Sequence, residues 1–318
     1  MRYLIASAPT RIDFGGGWTD VPPYSDEQGG CVCNVAISRC SVVRLSASPN
    51  DADEATTPAL ESDGALVRAA LRRAEVRGVH LELTSDFPLG AGLGGSSAAG
   101  VAVSGALAAW RGDMLDQQAL AEASRRLEVE DLGVAGGWQD HYAAAFGGAL
   151  GLWFGGETRV QRIPLSPAVR NALERRCTIV YTGQSRISAD TIRAVLDAYR
   201  ERTRSVVDAL ARMKRLAADM IAPLEAGDLD ALVALVGEHW AEQRSLHPAI
   251  PTPRIDAILA RASAAGASGK ALGASGGGCV LVIAPEDGAE RVRMLVKSLA
   301  QPLAFRIDER GFRCESSS

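Results

Sequence analysis

The chain has 318 residues, 47% of them hydrophobic and 23% charged, enough to bury a substantial core and long enough for two domains that share a cleft. A formal net charge of -4 and a pI near 5.7 give no overall attraction for nucleic acid or an anionic membrane, which leaves only local basic pockets for phosphate. No apolar run is long enough to span a bilayer, and the N-terminal MRYLIASAPTRID holds too short an apolar stretch for a signal peptide. A cytoplasmic protein is therefore expected, with neither nucleic acid nor membrane as partner. Six cysteines, at 31, 33, 40, 177, 279 and 314, include no CxxC pair, and none of the four histidines is placed to complete a zinc site, so these thiols are expected in the core.

In chain order, residues 30 to 47 (GCVCNVAISRCSVVRLSA) are dense in Val, Ile and Cys and predict a strand, as does the alternating VHLELTS at 79 to 85. Between them, polar residues 49 to 63 read as a loop leading into a helix, LVRAALRRAEVRG. Next, in FPLGAGLGGSSAAGVAVSGALAAW, a glycine-rich turn opens directly onto an Ala-rich helix. A helix at 116 to 130, a second glycine-rich turn GVAGGWQDHYAAAFGG and the strand-like ALGLWF complete one α/β unit. From about residue 160 the texture changes to a strand at 177 to 183 and charged helical stretches at 189 to 221, 228 to 244 and 253 to 265. KALGASGGGCVLVIAP then turns into a buried strand, followed by a helix at 287 to 299 and a terminal strand LAFRIDERG. This order suits two domains, 1–160 and 161–318, the second of α+β type.

Chemistry concentrates first in the segment from Pro88 to Ala99, PLGAGLGGSSAA, which has four glycines within six positions ahead of a helix. Glycines let backbone approach an anion closely, and amides at a helix start favour phosphate. Ser96 and Ser97 can add hydroxyl ligands to phosphate or Mg²⁺. No GK[ST] ends the segment, so it is not a Walker loop, whereas Gly90, Gly92 and Gly95 match GxGxxG and Asp113 or Asp116 lies about twenty residues on. A dinucleotide-dependent oxidoreductase and a simple packing turn both stay open on this segment alone.

PLGAGLGGSSAA resembles the phosphate loop of the GHMP kinases, the family of galactokinase, homoserine kinase, mevalonate kinase and phosphomevalonate kinase, with Gly95 in place of a common Ser. The resemblance implies ATP binding by Pro88, Gly90, Gly92, Leu93, Gly94, Gly95, Ser96, Ser97 and Ala98, with Ser97 favoured over Ser96 as the metal ligand. SAPTRIDFGGGWTDVPPYSDEQGG resembles the family's first motif, beside the sugar; it implies Arg11 as a charge stabiliser, and Arg11, Asp13, Gly16, Gly17, Trp18, Thr19 and Asp20 as substrate residues. Lys270-Ala-Leu-Gly-Ala-Ser-Gly-Gly-Gly-Cys resembles the third motif, which closes over the phosphate loop and implies nucleotide contacts from Gly276 and Gly277. Ser275 there replaces a glycine, so its backbone is expected in a conformation open to residues with a Cβ.

The three motifs run from residue 8 to 279 in the family's order. Together they imply the two-domain GHMP kinase fold: an N-terminal ribosomal protein S5 domain 2-like α/β domain and a C-terminal ferredoxin-like α+β domain, with the active site between them. Phosphoryl transfer to an alcohol needs an aligned hydroxyl, neutralised phosphates and often a carboxylate to take the proton. GGWQDHYAAAFGG resembles the region carrying the catalytic aspartate, which makes Asp140 the candidate base, with Trp138 and Gln139 as substrate contacts and the adjacent His141 as a substrate contact or, more often in such a place, a structural residue. Glu130, with Glu128 competing, is the expected Mg²⁺ carboxylate beside Ser97.

GGWTDVPPYSDEQGG and GGWQD are similar to fucokinases, whereas QDxYAAAFGG and the free-standing length are similar to D-glycero-D-manno-heptose 7-phosphate kinases. The expectation is a sugar kinase acting on the anomeric C1 hydroxyl with ATP and Mg²⁺, heptose 7-phosphate slightly ahead of fucose, in a monomer or homodimer. A distal phosphate would need cations, for which Arg186 and Arg193 are candidates. The alternatives are a non-catalytic sugar and nucleotide sensor and the oxidoreductase.

Overall fold

A computed structural model describes residues 3–48, 54–56, 61–184 and 189–317. The elements run β1 (Tyr3–Gly15), α1 (Tyr24–Gln28), β2 (Gly30–Ala47), β3 (Glu54–Thr56), α2 (Glu61–Ala74), β4 (Val79–Ser85), α3 (Gly95–Arg111), α4 (Gln117–Arg126), α5 (Gln139–Phe146), β5 (Ala149–Phe154) and β6 (Arg159–Ile163). They continue with α6 (Pro167–Arg176), β7 (Cys177–Tyr181), α7 (Ala189–Arg200), α8 (Arg204–Asp219), α9 (Ile221–Ala226), α10 (Leu229–Ser245), α11 (Pro253–Ser263), β8 (Ser268–Ala271), β9 (Cys279–Ile283), α12 (Ala289–Lys297), β10 (Gln301–Leu303) and β11 (Arg313–Ser317).

The first sheet has seven strands in the order β11-β1-β2-β4-β3, with β5 and β6 extending from the other half of β2. Strand β2 serves two partners because it is long: Ser41–Ala47 pairs with β4 and Gly30–Val35 with β5. Val32, Val43 and Leu45 pack against Ala98, Val101, Ala102 and Leu107 of α3 in one core. The Ala-rich face of α3 lets the helix lie close to the sheet.

The second sheet is antiparallel throughout, in the order β10-β7-β9-β8. Two crossovers containing helices, β7 to β8 and β9 to β10, give the ferredoxin-like split arrangement that the resemblance implied. A further core joins the two sheets: Ile12, Phe14, Cys33 and Val35 of the first pack with Ile179, Leu281 and Ile283 of the second and Leu232 and Val236 of α10. The first sheet draws on both sides of residue 160, because β6 straddles that point and β11 returns to β1.

The strands at 30–47 and 79–85 stand as expected; the segment expected as a second glycine-rich turn instead holds α5, and the loop expected at 49–63, whose residues 49–53 and 57–60 lie outside the described residues, holds β3; four further elements differ. β1 was not expected as a strand; its alternation is broken by Arg11 and Asp13, both buried. The helical stretch 189–221 breaks where Arg202 takes φ +58° and Thr203 opens α8. The helix expected at 116–130 ends at Arg126 in a π-turn, Leu127–Asp131. The terminal strand moves to β11, because Asp308 accepts from the N–H groups of Arg310 and Gly311 and turns the chain there. The six thiols are free, four of them buried, as expected of core residues.

Candidate active site

The two sheets enclose a cleft of about 620 Å³ whose lining includes residues from all three motifs. Its ceiling is the loop from Phe87 to Gly94, where Gly90, Gly92 and Gly94 take φ of +63°, +72° and +76°. The Arg11 N–H donates to the Leu93 carbonyl at 3.0 Å, fixing this loop to β1. A Cβ on Gly92 would lie 2.5 Å from the Leu272 carbonyl oxygen, and one on Gly94 2.9 Å from the Asp140 Cγ. These glycines are therefore required by close approach as well as by dihedral angle. At Gly95, where relatives often carry Ser, a Cβ would meet the Phe87 ring at 2.3 Å, so this loop is filled by an aromatic ring instead.

Helix α3 starts at this loop without a side-chain cap, leaving its first amides to attract an anion. Pro88, Leu93, Ser96 and Ser97 line the cleft beside the glycines. Ala98, expected among the nucleotide residues, lies in the core instead, and its N–H is used by Gly94 O within the helix.

Asp140, on the first turn of α5, sits under the loop with its side chain a quarter exposed. The buried Arg11 donates from Nε to Asp140 Oδ1 at 2.7 Å and from Nη1 to the Gly92 carbonyl at 2.7 Å. One guanidinium thus sets the carboxylate against the phosphate loop, and Lys could not make both bonds in this fork geometry.

The carboxylate beside the two serines is Glu128, not Glu130. Glu128 Oε1 accepts from Ser96 Oγ at 3.0 Å and Oε2 from Ser97 Oγ at 3.4 Å, while His141 Nε2 lies 2.8 Å from Oε2. Burial pushes its pKa up, but His141 and the two hydroxyls outweigh burial and hold it below the usual value. Glu130 turns outward to Arg73 at 2.8 Å with its side chain 55% exposed. The π-turn that holds both residues decides which carboxylate faces inward, and a regular-helix reading cannot foresee it. Among the described residues no cluster of three or more His, Cys, Asp or Glu could hold a metal ion. One ionised carboxylate with two hydroxyls nonetheless fits a hard cation that takes its remaining ligands from nucleotide oxygens and water.

The first motif divides into residues that face the cleft and residues that shape it. Asp13, Gly17, Trp18 and Asp20 line it, as does Gln139. Asp20 Oδ2 accepts from the N–H groups of Trp138 and Gln139, at 2.9 and 3.1 Å, and burial pushes its pKa up to about 6. Thr19 was expected to touch substrate, but its hydroxyl is enclosed, donating to the carbonyls of Gly16 and Cys31. Gly16 likewise packs inward: a Cβ there would lie 1.9 Å from the Cys31 carbonyl oxygen. The Trp138 ring stacks under Arg125 at 3.5 Å and against Phe154, so only its backbone serves the site.

Two buried residues were missed. Lys270 Nζ pairs with Asp13 Oδ2 at 2.9 Å, both out of solvent, and His239 Nε2 accepts from the Gly16 N–H at 2.8 Å. Burial pushes the Asp13 pKa up, but Lys270, His239 and Arg11 together outweigh it and lower it. The lysine opening the third motif on an otherwise apolar strand was a legible signal; the lone histidine on α10 was not.

The third motif docks on the first loop as expected: the Cys279 N–H donates to Ala91 O at 2.8 Å. Gly277 lines the cleft, whereas Gly276 points its N–H away, to Ile250 O. Ser275 takes φ +74°, contrary to the expectation from its Cβ, and its hydroxyl accepts from Gln243 Nε2 at 3.2 Å. Such a conformation costs about 1–2 kcal/mol outside glycine. Arg193 lies exposed near Asp190, and Arg186 falls outside the described residues. Among the described residues the lining holds one guanidinium, Arg11, with four carboxylates, Asp13, Asp20, Glu128 and Asp140. The dinucleotide reading fails on topology: β4, which leads into the glycine loop, pairs antiparallel with β2 and carries only the short β3 in parallel.

Comparison with known proteins agrees with this geometry. The GHMP kinases N terminal domain family matches residues 64–148 and the GHMP kinases C terminal family residues 220–295, together half of the chain. A D-glycero-alpha-D-manno-heptose 7-phosphate kinase of Campylobacter jejuni is 29% identical, covering 87% of this chain and 88% of its own. A bifunctional fucokinase/GDP-fucose pyrophosphorylase of Arabidopsis thaliana is 28% identical over 96% of this chain, which spans only 32% of that protein's length. The crystal structure of a D-glycero-D-manno-heptose 1-phosphate kinase from Bacteroides thetaiotaomicron shares the fold, with a TM-score of 0.80, 23% identity and 99% of each chain covered. No helix among the described residues is long and apolar enough to cross a membrane.

Proposed function

The chain belongs to the GHMP kinase family, and on that premise we propose that it is an ATP-dependent kinase phosphorylating the anomeric C1 hydroxyl of a sugar, D-glycero-D-manno-heptose 7-phosphate ahead of fucose. One observation carries the reading: Asp140, clamped by Arg11, faces the glycine loop so closely that a Cβ on Gly94 would lie 2.9 Å from its Cγ. The carboxylate then lies where an acceptor hydroxyl would meet a terminal phosphate. Preference for the heptose rests on the Campylobacter relative, which matches this chain over most of both lengths.

In the reaction Asp13, Asp20 and Gln139 hold the sugar through its other hydroxyls, and the proton of the reacting C1 hydroxyl passes to Asp140 as its oxygen attacks phosphorus. Arg11 keeps Asp140 Oδ1 engaged, leaving Oδ2 to accept the proton, and its charge offsets the negative charge near the transferred group. The loop amides and the start of α3 hold the phosphates. Glu128, Ser97 and Ser96 would hold Mg²⁺, which when bound neutralises charge on the phosphate oxygens. We assign the N-terminal part, about residues 1–160, to the phosphate loop and base, and the remainder to the third motif, in a cytoplasmic monomer or homodimer.

The test is incubation with Mg·ATP and heptose 7-phosphate or fucose side by side, with products identified by mass spectrometry. A heptose 1,7-bisphosphate product that Asp140→Asn reduces by at least ~100-fold is expected. No ADP above the level of Asp140→Asn with any sugar would mark a non-catalytic sensor.

A further inference from the structure

Glu128 lies on the π-turn after α4 and is 8% exposed; Ser96 and Ser97 donate to its carboxylate, and the His141 ring lies in close contact with it. Two of these, Ser96 and Ser97, are hydroxyls that rotate. When a cation takes a serine oxygen as ligand, that oxygen presents a lone pair to the metal, and its proton need no longer point at Glu128. The third partner is a ring that cannot turn away, although its Nε2 meets the carboxylate off the line of an ideal hydrogen bond. His141 is fully buried, with Nδ1 2.9 Å from Ser124 Oγ and Nε2 2.8 Å from Glu128 Oε2. An ionised carboxylate only accepts, so the ring turns its Nε2 hydrogen towards Glu128, while Nδ1 faces the Ser124 hydroxyl, which also lies 3.5 Å from the Ser97 carbonyl.

The chain Ser124–His141–Glu128 is built from three helical elements. A Cβ on Gly100 of α3 would lie 2.5 Å from Ser124 Oγ, so this glycine admits Ser124 of α4. Ser124 in turn fixes the ring of His141 on α5, one residue after Asp140.

We propose that His141 is a positioning residue for the metal: it holds Glu128 in the orientation that receives the Mg²⁺ of the nucleotide. The inference rests on reading Glu128 as the metal carboxylate. It also makes α5 the common carrier of the base and of the group that orients the metal ligand, so the two cannot shift independently.

The test measures Mn²⁺ binding to the full chain in its ADP complex by electron paramagnetic resonance, beside metal-free ADP affinity and thermal stability. His141→Met, which removes the donor, is expected to weaken Mn²⁺ binding about 10- to 100-fold, and His141→Gln, whose amide N–H can reach the same oxygen, only about threefold. Metal-free ADP affinity stays unchanged in both, which a merely structural role would not produce. Glu128→Gln separates the two readings: if it binds Mn²⁺ like wild type, the metal assignment fails and this inference with it. If Glu128→Gln loses the metal while folded His141→Met keeps it, the inference alone fails. Should His141→Met not fold, Ser124→Ala removes the anchor of the ring together with a long 3.5 Å contact to the Ser97 carbonyl; a loss of at least about threefold that Ser124→Thr, which keeps the hydroxyl, does not show supports the chain, and wild-type affinity in Ser124→Ala overturns it.

Discussion

Replacing Lys270 by Met tests the ion pair that joins the third motif to the substrate face. Lys270 and Asp13 are 0% and 2% exposed and 2.9 Å apart. At an effective dielectric of about 20 their attraction is about 6 kcal/mol, largely offset by the cost of taking both charges out of water. Removing one partner changes that balance, because the carboxylate stays buried without its counter-charge, at a cost of about 3–5 kcal/mol. In a chain of this size that corresponds to a fall in melting temperature of roughly 5–8 °C. The sign with pH is fixed. Wild-type Asp13 has a lowered folded pKa, so its contribution is present above the unfolded pKa and lost as pH falls through the folded value. In Lys270→Met burial acts without the lysine and raises the folded pKa above the unfolded one. The penalty is then full near pH 8 and shrinks as pH falls towards about 5. Melting followed by circular dichroism at both pH values, with Asp13→Asn/Lys270→Met beside it, reads the effect; the double variant should recover part of the loss. A single variant within about 2 °C of wild type near pH 8 would refute the reasoning, as would a double variant less stable than the single one.

Gly94→Ala places a Cβ against the Asp140 carboxyl and at φ +76°, so turnover should fall by roughly 100-fold; steady-state rates near wild type would remove Asp140 from the chemistry. Glu130→Gln should leave turnover within about twofold, because that side chain is a half-exposed partner of Arg73, while Glu128→Gln loses most of it; the reverse order would restore Glu130 as the metal ligand. Asp20, with its folded pKa raised to about 6, carries more protons folded than unfolded between that value and the ordinary carboxylate range, so its contribution to stability falls as pH rises through the window. Sugar KM should accordingly rise below about pH 6 in wild type and stay flat in Asp20→Asn, since only the ionised carboxylate is a pure acceptor for sugar hydroxyls.

The local signals in the sequence brought the glycine loop and Asp140 to one cleft and gave much of the order of elements, because each depends on glycine or on alternation over a few residues. Side-chain direction was less legible. Thr19 and Gly16 sit inside a motif whose other residues line the cleft, yet their atoms are used to hold β2 against the turn. Glu128 and Glu130 are chemically alike and two positions apart, and a π-turn, which has no local signature in propensity, chose between them. Lys270 and His239 act across 257 and 223 residues of chain, a separation that no periodicity reports. The displaced terminal strand has the same cause: β11 is defined by its partner β1 rather than by its own alternation.

That pairing also bears on how the protein is made. Tyr3–Ser7 of β1 lies between β2, which follows soon after, and β11, whose register begins Tyr3↔Ser317. During synthesis one edge of β1 therefore stays open while nearly all the other elements emerge, and the strand that carries Arg11 and Asp13 is covered on that side last. Such an edge is a template for pairing with another chain. Slow translation or early release near Arg313 should thus yield a protein whose catalytic loop is already folded but which associates through its first strand.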